Sequence, residues 1–230
     1  MNIMTSETTE NMETTSLRTQ SDVKTKISKK VYIKIKRVID VILASIALIL
    51  LSPLFAIIAI AIKIDSKGPV FFEHKRIGKN GKIIKLYKFR SMVINAEELI
   101  KSFTPEQMKE YKANYKLTND PRITKVGKFL RKTSLDELPQ LINIINGDLS
   151  IIGPRPVIAD ELEKYGTNKD KFLSVTPGLT GYWAANGRSN TTYEQRMEME
   201  LYYIDNLSLK MDIKVFFKTI LSVVKKEGAI

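Results

Sequence analysis

Two adjacent carboxylates, Asp136 and Glu137, stand in the stretch of the chain richest in groups that handle phosphate. Arg122, Lys125, Lys128, Arg131 and Lys132 precede them, and Gly153-Pro154-Arg155-Pro156 follows. An ionised carboxylate can serve as a nucleophile or hold a divalent cation, and arginines clamp phosphoryl oxygens bidentately. Arg155 lies between two prolines, so its backbone is stiff and its guanidinium can be pre-positioned. The pair also has a purely structural reading. Ser134-Leu135-Asp136-Glu137 fits a capping box, with Ser134 as N-cap and Glu137 at N3, and acids in a first turn suit the helix dipole.

Both readings ask for the same element. A helix is predicted to begin near Asp136 to Pro139, with Leu138, Leu141, Ile142 and Ile145 on one apolar face and Gly147 as its stop. A helix N-terminus approached by arginines is an anion site, so a cap and a phosphate-facing carboxylate are compatible there.

Upstream, Gly68-Pro69 marks a turn, and two strand-length pieces flank Gly78-Lys79-Asn80-Gly81, which predicts a hairpin. Its basic residues Lys85, Lys88 and Arg90 lie at or near period two, so some share a face; the alternative is a solvated edge carrying solubilising lysines. His74, in the first piece, receives no role. Residues 97–116 read as an exposed helical insert, with Thr104 as cap and Pro105 at its first position.

Residues 38–62 are almost wholly apolar, with Asp40 the single charge, and span about 37 Å as a helix, enough to cross a bilayer core. Seven basic residues from Lys24 to Arg37 precede this run, and Lys63 to Arg90 supply nine more against Asp65 and Glu73. Basic flanks favour the cytoplasm, so both flanks are satisfied if the helix enters and leaves on one side. Ser52-Pro53 in mid-run suits a helix-break-helix, because proline removes a donor and a neighbouring serine hydroxyl can take the freed carbonyl. A spanning helix that tolerates its proline is the alternative.

The formal net charge is +12 and the pI about 9.6, which calls for a polyanionic partner: nucleic acid, an anionic membrane surface or a phosphorylated substrate. The absence of cysteine excludes disulfides and thiolate metal sites and permits an intracellular location, and the single histidine excludes His-pair zinc motifs. Any metal must then be held by oxygen, which suits magnesium. Residues 1–23 read as a disordered polar tail rather than a signal peptide. Residues 207–227 set Met211, Val215, Phe216, Ile220, Val223 and Val224 against Lys210, Lys214, Lys218, Lys225 and Lys226. That pattern suits a membrane-interface helix or an ordinary helix packing its stripe on the core.

The run SLDELPQLINIINGDLSIIGPRP, with YKFRSM upstream and PGLTGYWAANGR downstream, closely resembles the bacterial polyprenyl-phosphate phosphoglycosyl transferases of the monotopic bacterial sugar transferase family. The resemblance runs from about Lys30 to the C-terminus and includes a Ser-Pro break that falls on Ser52-Pro53. It departs at Tyr182-Trp183-Ala184-Ala185, where many members have Trp-Ala-Gln-Val before Asn-Gly-Arg, so sugar preference does not transfer. Only the polar tail precedes the family core, which implies the compact form of the family.

The resemblance implies an α+β, mostly helical fold. Its parts would be a re-entrant membrane helix-break-helix, a small β-hairpin region and interfacial amphipathic helices around a compact cytoplasmic catalytic domain. The expected boundaries are a tail at 1–23, a basic flank and membrane helix at 24–64, and the catalytic domain at 65–230. The expected activity is transfer of a hexose-1-phosphate, of galactose or glucose, from a UDP-sugar to polyprenyl (undecaprenyl) phosphate. It would pass through a covalent Asp136 phosphosugar with release of UMP, as the first membrane step of exopolysaccharide, capsule or glycoconjugate synthesis. Glu137 would complete the dyad, with Mg2+ at Asp136 and Glu137. Arg155, Arg131, Arg90, Lys88, Arg122 and Arg188 would bind phosphate or substrate, although a structural salt bridge is an equal reading for Arg188. The expected setting is the cytoplasmic face of the bacterial cell membrane, with inner-membrane lipids as partners. A homo-oligomer is compatible, and no nucleic acid partner is expected.

Overall fold

Ala44, Ala47, Leu51, Leu54, Ile58 and Ile62 recur at steps of three or four, the spacing that puts side chains on one face of an α-helix. In the computed structural model, which describes residues 28–114, 117–187 and 191–224, they form the packed face of α1 (Lys29–Asp65). The opposite face, including Ile42, Ile46, Ile49, Leu50, Ile57, Ile60 and Ile64, is exposed. This helix is long and apolar enough to cross a membrane. The proline does not interrupt it. Pro53 lacks the N–H that would bond the carbonyl of Ile49 four residues earlier, and the Ser52 hydroxyl donates to that carbonyl instead at 2.8 Å. The helix is thus continuous through Ser52-Pro53, where a break was expected, and the serine hydroxyl takes the freed carbonyl as expected.

The chain continues through β1 (Phe71–Ile77), β2 (Ile83–Phe89), α2 (Ala96–Leu99), α3 (Pro105–Asn114) and α4 (Lys125–Thr133). There follow a 3-10 turn (Leu135–Glu137), α5 (Gln140–Asn146), β3 (Ser150–Ile152), α6 (Ala159–Glu163) and α7 (Lys169–Leu173). Then come β4 (Gly178–Thr180), α8 (Tyr182–Asn186), α9 (Tyr193–Asp205) and α10 (Leu209–Val224). The fold is mostly helical with a few short strands. The chain divides into two compact units, residues 1–35 and 36–230, and the second holds every feature discussed below. The tail at 1–23 lies outside the described residues.

β1 and β2 form the expected antiparallel hairpin, with His74 opposite Leu86 and Phe72 opposite Lys88. Its turn has Asn80 and Gly81 at positive φ (56° and 77°), a conformation those two residue types accept readily. Asn143 of α5 is fully buried against the hairpin: its Nδ2 donates to the Lys85 carbonyl at 2.7 Å and its Oδ1 accepts from the Tyr87 N–H at 2.9 Å. Capping of α3 by Thr104 is also as expected, with Thr104 Oγ1 accepting from Gln107 N and Gln107 Oε1 accepting from Thr104 N.

β3 and β4 pair in parallel, Ser150 with Gly178 and Ile152 with Thr180. The pairing brings backbones so close that a Cβ on Gly178 would sit 2.1 Å from Gly153 N. Only glycine fits there.

Three apolar clusters build the core. Ala44 joins Ile84, Leu86, Leu141, Ile144 and Leu149, so the first half of α1 supports β2 and α5. Ile58 and Ile62 join Phe89 and Leu130, with Leu135 and Leu138 packed against them, so the second half supports α4 and the 3-10 turn. Ile152, Val157, Tyr165, Phe172, Tyr203 and Val215 gather the C-terminal helices around β3. Within α10, Val215 and Met211 face that core while Ile213, Phe216, Phe217, Ile220 and Leu221 are exposed. The helix thus packs one stripe inward and leaves a second apolar stripe outward. Phe216 and Ile220, expected inward if the stripe were core, belong to the outward one. Val223 to Lys226 carry no described side chains.

Within this unit, polar ties fasten α1 on both sides of its apolar run. Arg37 donates to the carbonyls of Ile144 and Ile145 at the C-terminal end of α5, where a cation complements the helix dipole. Gly147 beside it has φ 87°, ends α5 as expected, and leaves room for the guanidinium. Asp40, buried in the apolar run, accepts from Ser150 Oγ at 2.7 Å and Ile151 N at 3.1 Å. At the other end, Asp65 accepts from Val126 N in the first turn of α4 at 2.9 Å.

Candidate active site

Ser134 ends α4 in the left-handed region, φ 57°, with its N–H bonded to the carbonyls of Arg131 and Leu130. This reversal carries the chain into the 3-10 turn that holds Asp136 and Glu137, and Pro139 then leads into α5. Two expectations change here. The helix begins at Gln140, just past the expected Asp136 to Pro139, and Gln140, Asn143 and Ile144 are buried beside the expected Leu141; Leu138 and Ile145 pack on the core as expected, whereas Ile142 is only half-buried. The capping box does not form either. Ser134 makes no side-chain cap bond, because its left-handed backbone belongs to the end of the previous helix.

Glu137 is spoken for elsewhere. Lys88 Nζ lies 2.6 Å from its Oε1 and 4.0 Å from Asp136 Oδ2. Burial works against ionisation of Glu137, but the Lys88 ammonium, the Arg155 charge and a hydrogen bond from Gln140 outweigh it and hold its carboxyl below the usual range. Asp136 is buried, and burial pushes its carboxyl up; Lys88 and Arg131 pull the other way, and the Glu137 charge adds to the rise. The two neighbours therefore titrate apart. Arg131 is itself placed by Ser91, whose Oγ accepts from its Nε at 2.8 Å.

A cleft opens beside Glu137, lined by Arg76, Leu86 and Lys88 from the hairpin, Gln140 from α5, Arg155 and Pro156 from the loop after β3, and Gly178 and Leu179 from β4. Hairpin register puts His74, Arg76 and Lys88 on one face. His74 is held down to about 4 by burial and then by the charges of Arg76, Lys88 and Arg155, which makes it neutral at physiological pH and marks how strongly positive the cleft is. Arg76 is anchored by Glu161 at 3.3 Å, and the same carboxylate meets Arg196 at 3.2 Å. Arg196 lies over the Trp183 ring, 4.8 Å from its centroid, and Arg155 stands 6.0 Å from it.

The expected site residues divide. Asp136, Glu137, Lys88, Arg131 and Arg155 come together. Arg90 does not: it is buried and donates to the carbonyls of Ser66 and Lys67 just beyond α1. Arg122 does not either: it pairs bidentately with Asp120 and packs on Phe103 and Tyr111. Both place the elements around the site without facing the cleft. Arg188 lies outside the described residues. Lys85 points to the other face of the hairpin and pairs with Glu73 at 2.8 Å. Arg76 and Gln140 were not foreseen. Arg76 read only as flanking charge, although its even spacing from Lys88 was a signal.

Magnesium keeps several waters and takes one or two carboxylates together with substrate phosphates. Asp136 and Glu137 fit that requirement as a partial set. Among the described residues no cluster of three or more metal-ligating side chains exists, so phosphate oxygens would have to complete the shell.

The family model for bacterial sugar transferases matches residues 31–226. An undecaprenyl-phosphate galactose phosphotransferase of Salmonella typhimurium is 43% identical over 198 residues, 85% of this chain and 41% of the relative. The exopolysaccharide production protein ExoY of Rhizobium meliloti is 46% identical over 197 residues, 84% of this chain and 87% of the relative. A UDP-glucose:undecaprenyl-phosphate glucose-1-phosphate transferase of Escherichia coli is 41% identical over 194 residues, 81% of this chain and 39% of the relative. The chain thus spans about two fifths of the length of the galactose and glucose enzymes.

Proposed function

Because the chain belongs to the bacterial sugar transferase family, we propose that it is a phosphoglycosyl transferase that moves a hexose-1-phosphate from a UDP-sugar to undecaprenyl phosphate. The observation that carries this reading is the buried Asp136 beside Glu137, with Lys88 between the two carboxylates and Arg131 and Arg155 flanking them. A diphosphate set in this cleft meets cations on the hairpin and on the loop after β3, which offset charge where it grows during phosphoryl transfer.

The reaction proceeds in two displacements. A carboxylate oxygen of Asp136 attacks the phosphorus that bears the sugar, the bond from that phosphorus to the bridging oxygen breaks, and UMP departs with the electron pair. A phosphate oxygen of the polyprenyl acceptor then attacks the same phosphorus and expels the Asp136 carboxylate, giving the polyprenyl diphosphate sugar. Glu137, kept ionised by Lys88, orients that ammonium and is placed to take the proton of a monoprotonated acceptor phosphate. Mg2+, held by Asp136 and Glu137, would neutralise diphosphate charge when bound. Relatives named for galactose and for glucose transfer are about equally similar, so both hexoses stand as candidate cargo. A relative named as an exopolysaccharide production protein and one named as the galactosyl transferase CpsE support a setting in polysaccharide or glycoconjugate synthesis.

The setting is the cytoplasmic face of the cell membrane. The exposed apolar face of α1 and the outward stripe of α10 with Lys214 and Lys218 suit lipid contact. Ties at Arg37 and Asp40 and at Asp65 hold α1 to one body on both sides of its apolar run, which together with the two basic flanks supports flanks that lie on the same side of the membrane.

Asp136→Asn tests the reading. UMP release from UDP-galactose or UDP-glucose is expected to disappear while the protein still folds and enters membranes; full turnover by this variant would end the covalent mechanism.

A further inference from the structure

Glu200 of α9 is buried to 1% exposure beneath the loop that carries Arg155. Its Oε1 accepts the N–H of Arg155 at 3.1 Å, while its Oε2 has no partner among the described residues. Pro154 and Pro156 have no N–H, so Arg155 offers the sole backbone donor of that three-residue stretch, and Glu200 takes it. A buried carboxyl is costly compared with an amide of the same shape, which would satisfy the same N–H. What the carboxyl adds is charge. We propose, on top of the function proposed above, that Glu200 is the positioning residue of Arg155: its carboxylate fixes the loop backbone and so sets where the Arg155 guanidinium meets the diphosphate of the donor.

The groups around Glu200 fit that role. Arg196, four residues earlier on α9, stands one turn away with Nε and Nη2 unpartnered among the described residues, and its Nη1 is held by Glu161. Tyr165 and Tyr193 also lie within the reach of the Glu200 charge, and both hydroxyls are pushed up by burial before any other cause. Burial raises the Glu200 carboxyl to about 7, against the opposing pull of the Arg155 N–H and of the Arg196 and Arg155 charges. Both protonation states are therefore populated near neutrality. The ionised state makes the stronger, charge-assisted bond to Arg155. Loop placement then firms as pH rises through neutrality and loosens as it falls.

Glu200→Gln keeps the shape and the acceptor but cannot ionise; Glu200→Ala removes the acceptor as well. UMP release from UDP-galactose and UDP-glucose by the full-length protein, followed between about pH 6 and 8, gives KM and kcat for the donor. The wild-type KM for the donor is expected to rise several-fold as pH falls through 7, with kcat far less affected. Glu200→Gln is expected to lose that step, and Glu200→Ala to raise KM about tenfold at every pH, a loss of ~1.4 kcal/mol. Persistence of the pH step in a folded Glu200→Gln protein overturns the inference and leaves the proposed function standing. Wild-type protein that releases no UMP from any UDP-hexose overturns both.

Discussion

Lys88 donates to Glu137 across 2.6 Å, which makes one ammonium the shared neighbour of both carboxylates of the candidate dyad. The hairpin supplies that ammonium and the turn after α4 supplies the acids, so neither segment is a site by itself.

Replacing Lys88 by Met should separate activity from stability. A cation facing developing phosphoryl charge is worth about 10²–10³ in rate, so UMP release is expected to fall about a hundredfold or more. The pair is partly exposed, with side chains 22% and 31% accessible, so its contribution to folding lies between that of a surface pair and a buried one, about 1–2 kcal/mol. Melting and kcat/KM measured on the same preparation check this. A large loss of melting temperature with normal turnover would contradict the assigned role.

The pH dependence follows from the opposite shifts of the dyad. The Asp136 carboxyl lies above its ordinary 3.8 and must be ionised to attack, so kcat/KM for the donor is expected to fall on the acid side through a midpoint above that value. Glu137 lies below its ordinary 4.5, so the stability from its pairing is complete above that pH and is lost only as pH falls through its lower folded-state value. Activity is therefore expected to fail at a higher pH than the Lys88–Glu137 pairing does. An acid limb at or below 3.8, measured by UMP release with melting curves alongside, would refute this order.

Asp40 offers a test of why a charge is kept inside an apolar run. Asp40→Leu makes the segment more apolar yet leaves the Ile151 N–H and the Ser150 hydroxyl without that acceptor. The expected cost is ~1–3 kcal/mol, a drop in Tm of roughly 3–10 °C in detergent. An unchanged or raised Tm would show that the tie contributes nothing.

The chain has no cysteine, so single cysteines introduced at Thr5 in the tail and at Lys132 in the body report topology cleanly. Both are expected to react with an impermeant maleimide from the same side of sealed vesicles. Labelling from opposite sides would make α1 a spanning helix.

Local signals carried much of the fold. Asn80-Gly81 marked the hairpin turn, Thr104-Pro105 the start of α3 and Gly147 the end of α5, because each acts through its own backbone. Basic side chains were harder to read, since charge type does not say whether a guanidinium will meet a ligand or a carbonyl. Arg90 and Arg122 were expected at phosphate and instead hold backbone or Asp120; only for Arg122 was a hint available, an acid two residues away. Gln140 and Asn143 escaped notice because polar residues on a helix read as apolar look like its solvent side, and only tertiary packing turned them inward.

The Asn143 amide has a consequence for the hairpin as a whole. Holding the Lys85 carbonyl and the Tyr87 amide together, it occupies the place a third strand would take, so this part of the sheet margin is closed to another chain. It also acts as a register pin. Sliding a strand by one residue turns every side chain to the opposite face, and here that would swing Lys88 away from Glu137. An uncharged side chain buried in α5 thereby decides which of the hairpin's cations arrives beside the acids.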